Sequence, residues 1–196
     1  MKAFFLFPIR RYFNVMLFSL SVFVLVAVLV LAVIAIAPAF WGSPWHPLRR
    51  QSIKKILEFS ELKAGENFFE LGSGDGRVSL SAVQDFGAKA TGFEIDPIKV
   101  WLARWLARRA NVSESAQFFR KNFFETDCSD ADVVYLYLTH QAMDRLLPEL
   151  KKQLKPSARI VCYRFCFRGQ APDKINADNN LFLYRMGKGN AMNAYS

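Results

Sequence analysis

The sequence predicts an α/β fold: a mostly parallel sheet with an antiparallel last strand, preceded by one transmembrane helix. Strand-like and helix-like segments alternate from residue 67 onward. A glycine-rich turn stands at the first strand-to-helix junction. Ahead of both lies an apolar run, with no charged residue from Val15 to Leu48.

Within that run, Val15 to Ala37 gives 23 residues with nothing more polar than Ser19 and Ser21. At ~1.5 Å of rise per residue it reaches roughly 34 Å, against a hydrocarbon core of about 30 Å. A cleaved signal peptide is the competing reading, with Lys2, Arg10 and Arg11 as its basic flank and Ala35-Ile36-Ala37 as its cleavage site. Signal cores run only about 7–15 residues, and Pro38 follows that site directly, so the anchor is favoured. The chain then divides into a basic flank at 1–14, a span at 15–37, a connector at 38–48, a folded domain at 49–186 and a flexible tail at 187–196. In the connector, Pro38, Gly42, Pro44 and Pro47 stiffen the chain, and Trp41 and Trp45 suit the headgroup interface.

Formal net charge is +9. Lys2, Arg10 and Arg11 precede the span and Arg49, Arg50, Lys54 and Lys55 follow it. Anionic headgroups attract such clusters by about 1 kcal/mol per cation, so the lipid bilayer is a partner and the basic balance requires no nucleic acid. The asymmetry of the flanks leans only slightly toward a cytoplasmic C-terminal domain. Three cysteines (Cys128, Cys162 and Cys166) argue against a disulfide framework, and two histidines (His46 and His140) leave no metal site with zinc spacing.

From Arg49 to about Leu62, Ile53, Ile56 and Leu57 mark a short amphipathic helix. Strands follow at Asn67–Leu71, Ala88–Glu94, Gln117–Arg120, Ala131–Leu138 and Ala158–Phe167, with helices at Arg77–Phe86, Pro97–Ala110 and His140–Leu154. Such alternation indicates βαβ units around a parallel sheet, and the nearly all-apolar run Val133 to Tyr137 suits a strand covered on both faces. After a polar turn at Asn176–Asn180, Leu181–Met186 is a closing strand with no helix before it, hence antiparallel. Trp101 and Trp105, four apart, are expected to pack their helix onto the sheet. Cys162 and Cys166 are expected to share one face of their strand.

Glu70-Leu71-Gly72-Ser73-Gly74-Asp75-Gly76-Arg77 ends a strand and opens a helix. Glycines there allow a sharp turn and close approach of a ligand to the backbone. Dinucleotide folds want a glycine where Arg77 stands; the Gly-x-Gly-x-Gly spacing after an acidic residue fits an aminoacyl-nucleoside better. Glu94 ends the next strand, 18 residues beyond Gly76, where a carboxylate can accept hydrogen bonds from a ribose diol. Asp96 then caps the following helix with Pro97 at its first position. Asn122 and Phe123 follow the third strand.

These elements resemble class I S-adenosylmethionine methyltransferases, which have a Rossmann-like sheet. The resemblance implies that S-adenosylmethionine is the cofactor and that Glu70, Gly72, Ser73, Gly74 and Gly76 hold its methionine portion. It further implies that Glu94 holds the ribose and that Asn122 and Phe123 meet the adenine; relatives carry an acidic residue where Asn122 stands. More narrowly, the span, the Trp/Pro connector, Leu-Gly-Ser-Gly-Asp-Gly-Arg, the helix with Trp101, Arg104, Trp105 and Arg108, and the run Ala158 to Phe165 resemble a membrane-anchored group. Its members include the lysine methyltransferases of the ATP synthase c-subunit and of the adenine nucleotide translocase.

The implied activity is lysine methylation of a protein in or near the membrane, with the catalytic domain facing the cytosol, or the matrix in a mitochondrion. Methylation of a lipid or small molecule, or a non-catalytic cofactor-binding module, are the alternatives. Methyl transfer needs alignment more than a base. Tyr137, Thr139 and His140 are candidates to line the pocket, although a lone histidine starting a helix, such as His140, is more often a capping or surface residue than a base.

Overall fold

The computed structural model describes residues 6–36 and 48–187. They fall into two compact units that divide between Trp41 and Gly42.

The first unit is one helix, α1 (Leu6–Ile36). Its described part starts at Leu6, inside the expected basic flank. Ser19 and Ser21 return their hydroxyls to the carbonyls of Val15 and Leu17 at 2.9 and 2.8 Å, so neither needs an outside partner. Residues 14–32 are exposed throughout, Phe18 and Phe23 to 72% each. By length and composition, Asn14–Ala32 is the one stretch among the described residues able to cross a membrane. The connector, with Trp41 and Trp45, and residues 188–196 of the tail lie outside the described residues.

The second unit runs α2 (Arg50–Phe59), β1 (Asn67–Leu71), α3 (Arg77–Phe86), β2 (Lys89–Glu94), α4 (Pro97–Arg109), β3 (Ala116–Arg120), β4 (Val133–Leu136), α5 (His140–Gln153), β5 (Arg159–Tyr163), β6 (Lys174–Asn176) and β7 (Leu181–Arg185). The strands form one sheet in the order β3-β2-β1-β4-β5-β7-β6. The first five are mutually parallel, and β7 runs antiparallel to both its neighbours. Strand order reverses between β1 and β4, and in open α/β sheets ligands bind outside the carboxyl ends of the strands at such a point.

Helices cover both faces. One core gathers Leu71, Leu136, Ile160 and Tyr184 with Met143, Leu146 and Leu150 of α5. The other gathers Phe68, Tyr135 and Val161 with Ile53, Ile56 and Leu57 of α2 and Val78 of α3. An ion pair ties the loop after α2 to the last strand: Arg185 donates to both oxygens of Glu61 at 2.9 and 2.7 Å. That guanidinium holds the Glu61 carboxyl below the usual range.

Four expectations are corrected. β5 stops at Tyr163, not Phe167, because Arg164 and Asn180, the next pair of the β5–β7 ladder, both take left-handed φ, 68° and 52°; the bond from Arg164 N to the Asn180 carbonyl at 2.8 Å is still in register with that ladder. Cys162 is therefore a buried strand residue while Cys166 lies beyond the strand, and they share no strand face. β6 reaches into the segment read as a turn; three residues with one apolar side chain carry no period, and pairing with β7 alone makes them a strand. Finally, α4 does not bury its tryptophans. Val100, Ala103 and Ala107 face the sheet, and Trp101 and Trp105 are 64% and 41% exposed.

Candidate active site

The turn after β1 is shaped by its glycines. Gly72, Gly74 and Gly76 have φ of 82°, 54° and 76°, a region that side-chain-bearing residues enter only at a cost. A Cβ on Gly76 would stand 2.5 Å from the Phe118 ring and 2.9 Å from the Cβ of Ala103, so here α3 and α4 meet with no room for a methyl. The amides of Gly72 and Ser73 both donate to the Phe93 carbonyl, at 2.8 and 2.9 Å, which binds the turn to the end of β2.

Glu94 finishes that connection. Its Oε2 accepts from the Gly74 amide at 2.9 Å, and its Oε1 from Ile95 and Asp96 at 2.9 and 3.1 Å. The sequence placed a carboxylate at the end of β2; the structure adds that it grips the glycine turn itself. A carboxylate offers about four acceptor directions, so three amides leave it capacity for a further donor. Asp96 caps α4 as read from the sequence, its Oδ1 accepting from Ile98 and Lys99 at 2.9 and 3.4 Å.

Glu70 is 4% exposed. Its Oε2 accepts from the amide and hydroxyl of Ser79 at 3.0 and 2.6 Å. Ser79 is the third residue of α3, whose own cap position, Gly76, has no side chain to offer, so Glu70 caps the helix from the neighbouring strand. Burial raises its pKa to about 8, helped by the charges of Asp75 and Glu94 and opposed by the Ser79 bonds. Asp75 is paired with Arg77, whose Nη1 also donates to the Leu48 carbonyl at 3.0 Å. This fastens the start of the domain to the turn.

Ser73 is 5% exposed, and its hydroxyl has no hydrogen-bond partner among the described residues. An orphaned hydroxyl in a strained glycine turn, beside a carboxylate with spare capacity, is a cradle that suits the polar end of an aminoacyl-nucleoside. The residues present therefore fit S-adenosylmethionine. Sequence reasoning passed over Gly92, where a Cβ would stand 2.6 Å from Phe118 and 2.8 Å from Ser73. Its place two residues before Glu94 was the available signal.

Asn122 starts the 3₁₀ turn Phe123–Glu125, its Oδ1 accepting from Phe124 N at 3.2 Å and its Nδ2 donating to Glu125 at 3.1 Å. Phe123 and Phe124 pack with ring centroids 4.5 Å apart. At the end of β4, Arg164 donates to the Tyr137 hydroxyl at 3.1 Å, and the Tyr137 ring meets Tyr163 edge-on at 5.0 Å. Thr139 caps α5, accepting from Ala142 N at 3.4 Å. His140 Nδ1 lies 3.2 Å from the Cys166 carbonyl, and its ring stands edge-on to Phe165. A carbonyl partner requires the proton on Nδ1, which leaves Nε2 as the acceptor of a neutral ring. Two of the free cysteines are buried and not activated: burial pushes the Cys128 thiol up to about 12 and the Cys162 thiol well above its ordinary value.

Comparison with known proteins agrees with this geometry. Residues 70–174 match the ANTKMT methyltransferase domain family. A protein-lysine N-methyltransferase of Saccharolobus islandicus is 32% identical over 74% of this chain and 94% of its own. The human lysine N-methyltransferase of the ATP synthase c-subunit is 30% identical over 79% of this chain and 66% of its own. Among solved structures, an RNA methyltransferase from Salinibacter ruber, in complex with S-adenosyl-L-homocysteine, superposes with a TM-score of 0.70. It is 32% identical and covers 73% of this chain and 95% of that one.

Proposed function

This chain belongs to the ANTKMT methyltransferase domain family and is an S-adenosylmethionine-dependent methyltransferase, and from that premise we propose that it methylates lysine side chains of a protein held in or beside a membrane. The observation that carries the reading is the 2.9 Å bond from Gly74 N to Glu94. It joins the glycine turn and the strand-end carboxylate into one cradle, on a chain similar along nearly the whole length of an archaeal lysine methyltransferase.

In this proposal Gly72, Ser73, Gly74 and Gly76 cradle the methionine portion, with Glu70 holding the turn from beneath. Glu94 takes the ribose hydroxyls, and Asn122 and Phe123 flank the adenine. Bound S-adenosylmethionine supplies an electrophilic methyl group on a sulfonium. The chain's remaining task is to hold a neutral amine in line with that methyl, and alignment alone is worth roughly 7–11 kcal/mol. Tyr137 and His140 stand at the carboxyl end of β4, beside the switch in strand order. The Tyr137 hydroxyl and His140 Nε2 are acceptors suited to orient a lysine amine, and the aromatic rings of Tyr163 and Phe165 beside them exclude water. An apolar surround lowers the pKa of a lysine entering it and so favours the neutral form.

The domain limits 15–37 for the span and 49–186 for the catalytic domain are part of the same proposal, with α1 as a single-pass anchor. Since S-adenosylmethionine is made in the cytosol, the catalytic domain faces it, or the matrix in a mitochondrion. Tethering raises the effective concentration of a target in the same bilayer. The test is incubation of the full chain with membranes and cofactor carrying a labelled methyl. Label recovered as methyllysine after hydrolysis of the membrane proteins is expected; label confined to lipid, small molecules or RNA overturns the lysine reading.

A further inference from the structure

The exposed face of α4 has no role in the cradle, yet it is the most apolar surface of the catalytic unit. Ile98, Trp101 and Trp105 are 57%, 64% and 41% exposed. They lie at i, i+3 and i+7, on the side of the helix opposite Val100, Ala103 and Ala107. Large apolar side chains concentrated on one exposed face mark an interaction site.

Cations surround this stripe. From Pro97 to Lys121 there are six basic residues and one acidic residue, Glu114. Arg104 and Arg108 line an open recess of about 300 Å³ between α4 and β3, with Phe119 at its rim. The Arg109 guanidinium lies 5.4 Å from the centre of the Trp105 ring. Tryptophan bodies with polar edges favour the water–lipid boundary, and a ring of arginines favours anionic headgroups beside it.

We infer that the Ile98–Trp101–Trp105 face of α4 docks onto an anionic lipid surface. A second copy of the chain is disfavoured, because an isologous contact would set the same cations against each other. Lipid is favoured over nucleic acid because the same chain carries an apolar helix that no other part of its unit covers. The 13 residues from Ala37 to Arg49 could reach at most about 45–50 Å, so a chain anchored by α1 keeps its catalytic unit within reach of headgroups. The inference thus rests on the anchor reading, but not on the lysine reading.

Four tryptophans are present, at 41, 45, 101 and 105. A full-length W41F/W45F variant therefore reports on α4 alone. In vesicles of phosphatidylglycerol with brominated acyl chains, Trp101 and Trp105 emission is expected to fall about twofold relative to unbrominated vesicles. Phosphatidylcholine vesicles, or the added changes Arg108→Glu and Arg109→Glu, should abolish most of that quenching. Flotation of the vesicles reads the anchor separately. Protein that floats with unquenched tryptophans overturns the docking and leaves the anchor standing, and protein that fails to float overturns both. Quenching by an added RNA oligonucleotide but not by brominated lipid overturns the lipid assignment in favour of nucleic acid.

Discussion

The two strand-to-helix junctions at the centre of the sheet solve the same problem in opposite ways. Each strand carries a glutamate at or next to its end, Glu70 and Glu94, and each leads into a helix whose first amides need acceptors. After β2 the acceptor is local: Asp96 caps α4 and Pro97 fills the first position, where no N–H is needed. After β1 the cap position is Gly76, with no side chain, and Glu70 reaches across from the strand to take the Ser79 amide. Moving the acceptor out of the turn leaves the turn free to be glycine. The proposed cofactor cradle lies where the cap is borrowed, and the junction with its own cap supplies the carboxylate, Glu94, that grips its turn. The helices differ in kind as well: α3 buries Val78, Ser79, Leu80 and Ala82, whereas α4 meets the sheet through Val100 and two alanines and turns its tryptophans outward.

The sharpest way to break this contrast is at Gly76, where the two helices touch. Gly76→Ala places a methyl against Ala103 and Phe118 at positive φ. The conformational cost is about 1–2 kcal/mol and the overpacking cost about 1–3 kcal/mol. A loss of roughly 2–5 kcal/mol in a denaturant titration is expected, with an unchanged midpoint speaking against the close approach.

Glu70→Gln separates capping from charge. With its pKa at about 8 in the folded state and an ordinary 4.5 unfolded, Glu70 keeps a proton on folding across that interval. Stability of the parent therefore falls as pH rises from about 4.5 to 8. Glutamine still accepts from Ser79 and carries no charge, so its melting temperature should nearly match the parent near pH 5 and exceed it by roughly 10 °C or more near pH 8.5. A pH-independent difference would mean that Glu70 is not held protonated.

Glu94→Ala removes the acceptor of three amides together with the proposed ribose contact. At least about a tenfold loss of S-adenosylmethionine affinity by calorimetry is expected, equivalent to roughly 1.4 kcal/mol; unaltered binding would remove Glu94 from the cradle. The smallest effect should come from α4. Trp101→Ala is expected to change the unfolding midpoint by less than about 0.5 kcal/mol, while Ala103→Leu, on the packed side of the same helix, should cost about 1–3 kcal/mol. A large cost at Trp101 would mean that the tryptophan is packed after all.

Much of this was legible in the chain because it is written locally. Asp96-Pro97 announces a helix start by its own chemistry, the glycine spacing announces a turn, and alternating apolar segments announce covered parallel strands. The end of β5 was not legible: Ala158 to Phe167 is nearly all strand-compatible, and only the left-handed backbone at Arg164, opposite Asn180, ends it. β6 depended wholly on a partner strand. The tryptophans of α4 misled because periodicity says which residues share a face but not which face is buried, and this helix has two apolar faces.

By itself, the sequence determined the alternation of strands and helices apart from β6, an apolar N-terminal run, the glycine turn and the two glutamates at the carboxyl ends of β1 and β2. Only the tertiary structure decided that Glu70 caps α3, that Glu94 grips Gly74, and that α4 meets the sheet through its alanines. The reason is one of distance. Caps, turns and periods act over a few residues and are set by local composition, whereas the acceptor of a buried amide and the closeness of a helix to a sheet depend on residues that folding alone brings together.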